Sequence, residues 1–141
     1  MNARTRALRS LIRLHKTKVD QAKAAMAEAL ASEHTARLQL ESCQATIESE
    51  RQAAMAEHVS MDDFRRWLPF GQEAVERAEN TLHSASQAAD HAREALMQAN
   101  AALKAATSIL DRRMKEEKEI RTRRELAEID DLSRRVRMTP G

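Results

Sequence analysis

The sequence is poor in everything that turns a chain or fills a compact core. Its 141 residues include two Gly, two Pro and three aromatics (two Phe, one Trp, no Tyr). β-Sandwiches and α/β domains need frequent turns, and turns need Gly, Pro and Asn. Those classes are excluded. One Cys cannot close a disulfide within the chain and suits a reducing compartment. No apolar run approaches the ~18 residues that span a bilayer. The basic start, Met1 to Ser10, is not followed by the uninterrupted apolar segment of a signal peptide. A net charge of +2 makes no case for nucleic acid by itself. What is abundant is helix-forming: 26 Ala, with Leu, Glu, Lys and Arg, and a third of all residues charged.

The strong punctuation is confined to Pro69, Gly71, Pro140 and Gly141, so neither Ala3–Glu57 nor Gln72–Thr139 contains Gly or Pro. Two long helices follow, at about 3–57 and 62–137, joined by a turn at about 58–61. Ser60-Met61-Asp62-Asp63 resembles a capping box with Asp in place of Glu. Pro69 removes a backbone donor and predicts a kink or a fresh turn there.

Each helix carries a seven-residue ladder. In the first, a mostly large set (Ile12, Val19, Met26, Glu33, Leu40, Ile47, Ala54) alternates with a mostly small one (Leu8, His15, Ala22, Ala29, Ala36, Cys43, Glu50). In the second the large set is Leu68, Val75, Leu82, Ala89, Leu96, Leu103 and Leu110; the small set is Gly71, Ala78, Ala85, Ala92, Ala99 and Ala106. A period of seven held this long is a coiled-coil signal. The ladders fit in an antiparallel register that sets Ile12 against Ala106, Val19 against Ala99, Leu40 against Ala78 and Val75 against Cys43. Large faces small in most layers. Glu33 and Glu50 put carboxylates beside the seam, where Glu can reach water past its own methylenes. The fold class is therefore all-α: a long antiparallel two-helix coiled-coil hairpin with a C-terminal helical overhang. At ~1.5 Å per residue the paired part predicts a rod on the order of 75 Å, and residues 117–137 an overhang of roughly 30 Å.

Charge is polarised along the chain. Residues 1–23 carry +6, residues 24–110 carry −6 and residues 111–141 carry +2, which predicts different partners at the two ends. In the overhang Leu126, Ile129, Leu132 and Val136 recur at helical spacing beside Asp130, Asp131, Arg134 and Arg135. An amphipathic helix without an intramolecular partner needs another protein to cover its stripe. The turn end holds all the aromatics, Phe64, Trp67 and Phe70, with Leu68 among them. They form either a plug that closes the hairpin or a tip contact for a partner.

No catalytic, cofactor or metal constellation is recognisable. The five His (15, 34, 58, 83, 91) include no i,i+4 pair, no Gly-rich loop could cradle a phosphate, and Cys43 reads as a small seam residue. The basic N-terminal stretch lacks aromatics for stacking on bases, so no nucleic-acid partner is expected.

Three segments resemble the FliJ and YscO family, the coiled-coil stalk proteins of flagellar and type III secretion export machines. They are Leu11-Ile12-Arg13-Leu14-His15-Lys16-Thr17-Lys18-Val19 at the start, Asp62-Asp63-Phe64-Arg65-Arg66-Trp67 after the turn, and Arg124-Glu125-Leu126-Ala127-Glu128-Ile129-Asp130-Asp131 near the end. Trp67 and its neighbours lean toward the injectisome, YscO-like branch. The resemblance implies a non-enzymatic stalk at the cytoplasmic face of the inner membrane. Such a stalk links a hexameric export ATPase to the export gate protein, some members also handle export chaperones, and membrane contact is only indirect. The end bearing both termini would enter the ATPase. The candidate ATPase-binding set is then Leu8, Arg9, Arg13, Arg121, Arg124, Leu126, Ile129, Asp130, Asp131, Leu132 and Val136. The candidate tip contact is Phe64, Trp67, Leu68 and Phe70. The competing expectations are a generic structural coiled-coil adaptor and a secreted WXG-like hairpin. The latter is weakened by Trp-Leu-Pro-Phe-Gly in place of Trp-x-Gly.

Overall fold

A computed structural model of the chain describes residues 2–138. It holds two helices, α1 (Ala3–Met55) and α2 (Met61–Met138), packed against each other as an all-α hairpin without strands among the described residues.

Burial follows the two ladders. Every predicted seam position, from Leu8 to Ala54 in α1 and from Leu68 to Leu110 in α2, is buried or half-buried. The tightest points are small or β-branched: Val19, Ala36, Ala78 and Ala106 lie near 5% exposure and Ala89 at 1%. Small side chains let two backbones approach without leaving a void between them. Glu33 stays half-buried at the seam, and its carboxylate turns toward Arg37 one turn on, at 3.7 Å. That resolves the carboxylate at the seam. On the outer surface Arg51 donates to Glu48 at 2.7 Å, which holds the Glu48 carboxyl below the ordinary carboxylate range.

Packing divides the chain into two units. One runs from Val19 to Ala99 and contains the turn; the other joins, among the described residues, 2–18 with 100–138. In the first unit α1 stops at Met55, two residues before the expected end. Glu57 has φ of 60°, its amide donates to the Ala54 carbonyl at 3.2 Å, and the His58 amide donates to the Ala53 carbonyl at 3.0 Å. These two bonds are the Schellman termination, with Glu57 at the left-handed position where Gly is usual. Helix α2 begins one residue before its expected start. The Ser60 carbonyl accepts the Phe64 amide at 3.0 Å, so Ser60 is the N-cap, and Asp62 and Asp63 lie in the first turn, where they favour the dipole. Helix α2 runs through Pro69 without restarting.

A left-handed backbone costs a non-Gly residue about 1 kcal/mol. Glu57→Gly is therefore expected to raise the hairpin's stability by somewhat less than that, about 0.5 kcal/mol after the entropy of the added Gly. Thermal unfolding followed by circular dichroism checks it; an unchanged or lower midpoint would show that the Glu57 side chain contributes to the turn.

Candidate functional site

The unit that contains both helix termini is organised around one carboxylate. Asn2 caps α1: its Oδ1 accepts the Thr5 amide at 2.9 Å and its carbonyl accepts the Arg6 amide at 3.2 Å. This is the standard reach from N-cap to N3. The Asn2 Nδ2 then donates to Glu117 Oε1 at 3.2 Å, and the Thr5 hydroxyl donates to the same oxygen at 3.2 Å. Thr5 is 2% exposed, so its hydroxyl requires that acceptor. The first turn of α1 has no acidic residue and carries Arg4 and Arg6 nearby. Glu117, reaching over from α2, supplies the negative charge that a helix N-terminus favours.

Of the sequence-predicted residues in this unit, Leu8 is half-buried and Arg9 and Arg13 are exposed. Arg9 Nη2 lies 3.6 Å from Met114 Sδ across the hairpin, and Arg13 Nη2 donates to Ser10 Oγ at 3.0 Å. A shallow groove lined by Arg4, Ala7, Leu8, Leu11, Ile109 and Arg113 runs beside the seam.

Glu117 is the last half-buried residue of α2. From Lys118 to Met138 every residue faces solvent. The apolar stripe has no cover: Leu126 and Ile129 are 57% exposed, Leu132 58% and Val136 74%. Ile129, Leu132, Ser133, Val136 and Arg137 line a shallow depression on it. Arg121 and Asp130 border the stripe, whereas Arg124 and Asp131 lie on the opposite side of the helix, by the 3.6-residue repeat. Asp131 is 3.3 Å from Arg135. Arg135 and Arg137, in the last turn, complement the negative end of the dipole.

The aromatic segment lies in the other unit and is split by the helix. Phe64 is buried, Trp67 and Leu68 are half-buried and Phe70 is 67% exposed. The Phe64 and Trp67 rings sit 6.2 Å apart at 34°. Trp67 lies over Gly71, where an added Cβ would be 2.8 Å from its Cη2. Gly71 thus seats the indole as well as serving as a small seam residue.

The family model described as Flagellar FliJ protein matches residues 4–139. The chain belongs to the FliJ family. No curated protein and no solved structure matches it. FliJ proteins are structural, non-catalytic components associated with flagellar and type III protein export. A coiled-coil hairpin fits that assignment, and no helix among the described residues is long and apolar enough to cross a membrane.

Asn2, Thr5 and Glu117 were not in the predicted set, although Thr5 lies seven residues before Ile12 and Glu117 seven after Leu110. Extending both ladders by one step would have found two of them; Asn2 belongs to the preferred N-cap types.

Two substitutions test this FliJ-family chain locally. Glu117→Ala should leave the Thr5 hydroxyl without its acceptor, at about 1–2 kcal/mol, and speed amide hydrogen exchange over the first two turns of α1; unchanged exchange would show that the cap does not depend on Glu117. Gly71→Ala should displace the indole and shift the emission of the single Trp, while unchanged emission would show that the ring does not rest on Gly71.

Proposed function

We propose that this FliJ-family chain is the central stalk of a type III export apparatus, coupling a hexameric export ATPase to the membrane export gate at the cytoplasmic face of the inner membrane. The observation that carries the reading is the exposed helix 118–138 with its uncovered stripe Leu126, Ile129, Leu132 and Val136. A helix that leaves this much apolar surface to water beyond the end of its own partner is built to be covered by another protein. In this reading the stripe packs against the ATPase, with Leu8, Arg9 and Arg13 of α1 and the overhang charges Arg121, Arg124, Asp130 and Asp131 contributing at the same end. The turn segment meets the gate through Phe70, supported from behind by Phe64, Trp67 and Leu68. The Asp62–Trp67 segment supports placing the chain on the injectisome side of the family.

The test is binding of the full-length chain to the purified cognate export ATPase. Each buried Leu or Val side chain contributes ~1.5–3 kcal/mol. Leu132→Asp with Val136→Asp should therefore weaken binding by a factor of about 100 or more. The far-ultraviolet circular dichroism should stay that of a helical hairpin. Undiminished binding by the double variant would overturn the assignment of the overhang.

A further inference from the structure

Beside the seam, the two helices share a second apolar line at the end that bears both termini. On α1, Ala7, Leu11 and Leu14 follow one another at three- and four-residue spacing, with Arg4 before them and Lys18 after. On α2, Ala102, Ala105 and Ile109 do the same, with Arg112 and Arg113 next. Such spacing keeps each set on one face of its helix. The two faces adjoin, because Arg4, Ala7, Leu8, Leu11, Ile109 and Arg113 line one groove. Leu11, Leu14 and Ile109 are 43%, 49% and 48% exposed. All of these residues belong to one packing unit. A groove between two packed helices is where a third helix can lay its side chains.

Every charge against this floor is positive. The Asp, Glu, Lys and Arg residues that stand three or four positions from Ala7, Leu8, Leu11, Leu14 or Ile109 are Arg4, Lys18, Arg112 and Arg113. None of these four makes a salt bridge among the described residues. Residues 2–18 and 100–110 together hold seven basic residues and no acid. Asp111, two residues after Ile109, points about 200° round the helix from it. Glu116 and Glu117 follow Arg113, past the apolar floor, and the Glu117 carboxylate is held by Asn2 and Thr5.

We infer that this groove receives an amphipathic helix of a partner protein whose apolar stripe is edged with Asp and Glu. Unpaired cations around an apolar contact favour an anionic partner and set its orientation. The floor lies between two helices, so a flat bilayer meets the rims and not the half-buried Leu8. No aromatic residue lines the groove to stack on bases. The inference rests on the stalk reading above, under which the helix belongs to the export ATPase. It gives the stalk a second contact, built by α1 and the adjoining turns of α2, apart from the overhang stripe.

The experiment measures the affinity of full-length chains for the purified cognate export ATPase at two salt concentrations. Arg4→Gln with Arg113→Gln removes two charges at the groove. Arg6→Gln with Lys16→Gln removes two from the sides of α1 turned away from it, by the 3.6-residue repeat. Leu11→Gln alters the floor and leaves the charge unchanged. The first pair and Leu11→Gln are each expected to lose about fivefold or more in affinity, the first pair with a flatter salt dependence. The second pair is expected to stay within about twofold. Equal losses from the two pairs would overturn the inference, because net charge alone would then explain them. A loss from Leu11→Gln alone would overturn the acidic character of the partner. Full affinity in the first pair and in Leu11→Gln, while Leu132→Asp with Val136→Asp abolishes binding, would overturn the inference and leave the stalk reading standing. If the first pair keeps its ATPase affinity and loses retention on vesicles of equal parts phosphatidylcholine and phosphatidylglycerol, the face belongs to a bilayer and the inference falls. Absence of ATPase binding by the unaltered chain would overturn both readings. Helical content is measured for each variant, and the matched pair controls for nonspecific effects of lost charge.

Discussion

A two-helix hairpin has one stripe of contact and no other interior, so what sits on the stripe decides where the helices can pair. Here the stripe alternates large and small, and beside Val19 the tightest places are alanines such as Ala36, Ala78, Ala89 and Ala106. Alanine contributes little transfer free energy by itself. What it permits is close approach, which brings Ile12, Val19 and the leucines into contact along their length. The chain tolerates Glu33 on the stripe because a narrow seam leaves a long side chain a route to the surface and to Arg37.

The same constraint explains the ends. At the turn the helices must separate within a few residues, and backbone hydrogen bonding does it: Glu57 takes the left-handed position and Ser60 starts the next helix. At the other end α1 begins at Asn2, whose cap is completed from α2 by Glu117. The apolar seam stops where that cap sits. One carboxylate oxygen serves the Asn2 amide and the buried Thr5 hydroxyl, so the start of α1 is set against a defined point of α2.

The seam was legible because a period of seven is carried by many residues, and one exception such as Glu33 does not break it. The uncovered overhang was legible for the opposite reason: α1 has no residues left to face it. The early stop at Met55 was not, because the usual sign is Gly and here Glu57 adopts that backbone. The tie between Asn2 and Glu117 joins residues 115 apart in sequence, and no local pattern announces it. The aromatics divide by simple helix geometry. Spacing by three turns each side chain back by about 60°, so Phe64 faces inward and Phe70, two steps on, faces solvent. On the helix they make an anchor and an exposed ring.

The change of face along α2 separates the helix's two apolar surfaces. Had Leu126, Ile129, Leu132 and Val136 continued the seam, the overhang would be a stretch awaiting a longer α1, and any partner would compete for the surface that holds the hairpin together. Because the stripe is turned by about a third of a revolution, the seam and the uncovered stripe lie on separate sides of one helix. Two apolar faces thus follow one another on a single helix, the first closed by α1 and the second open to water.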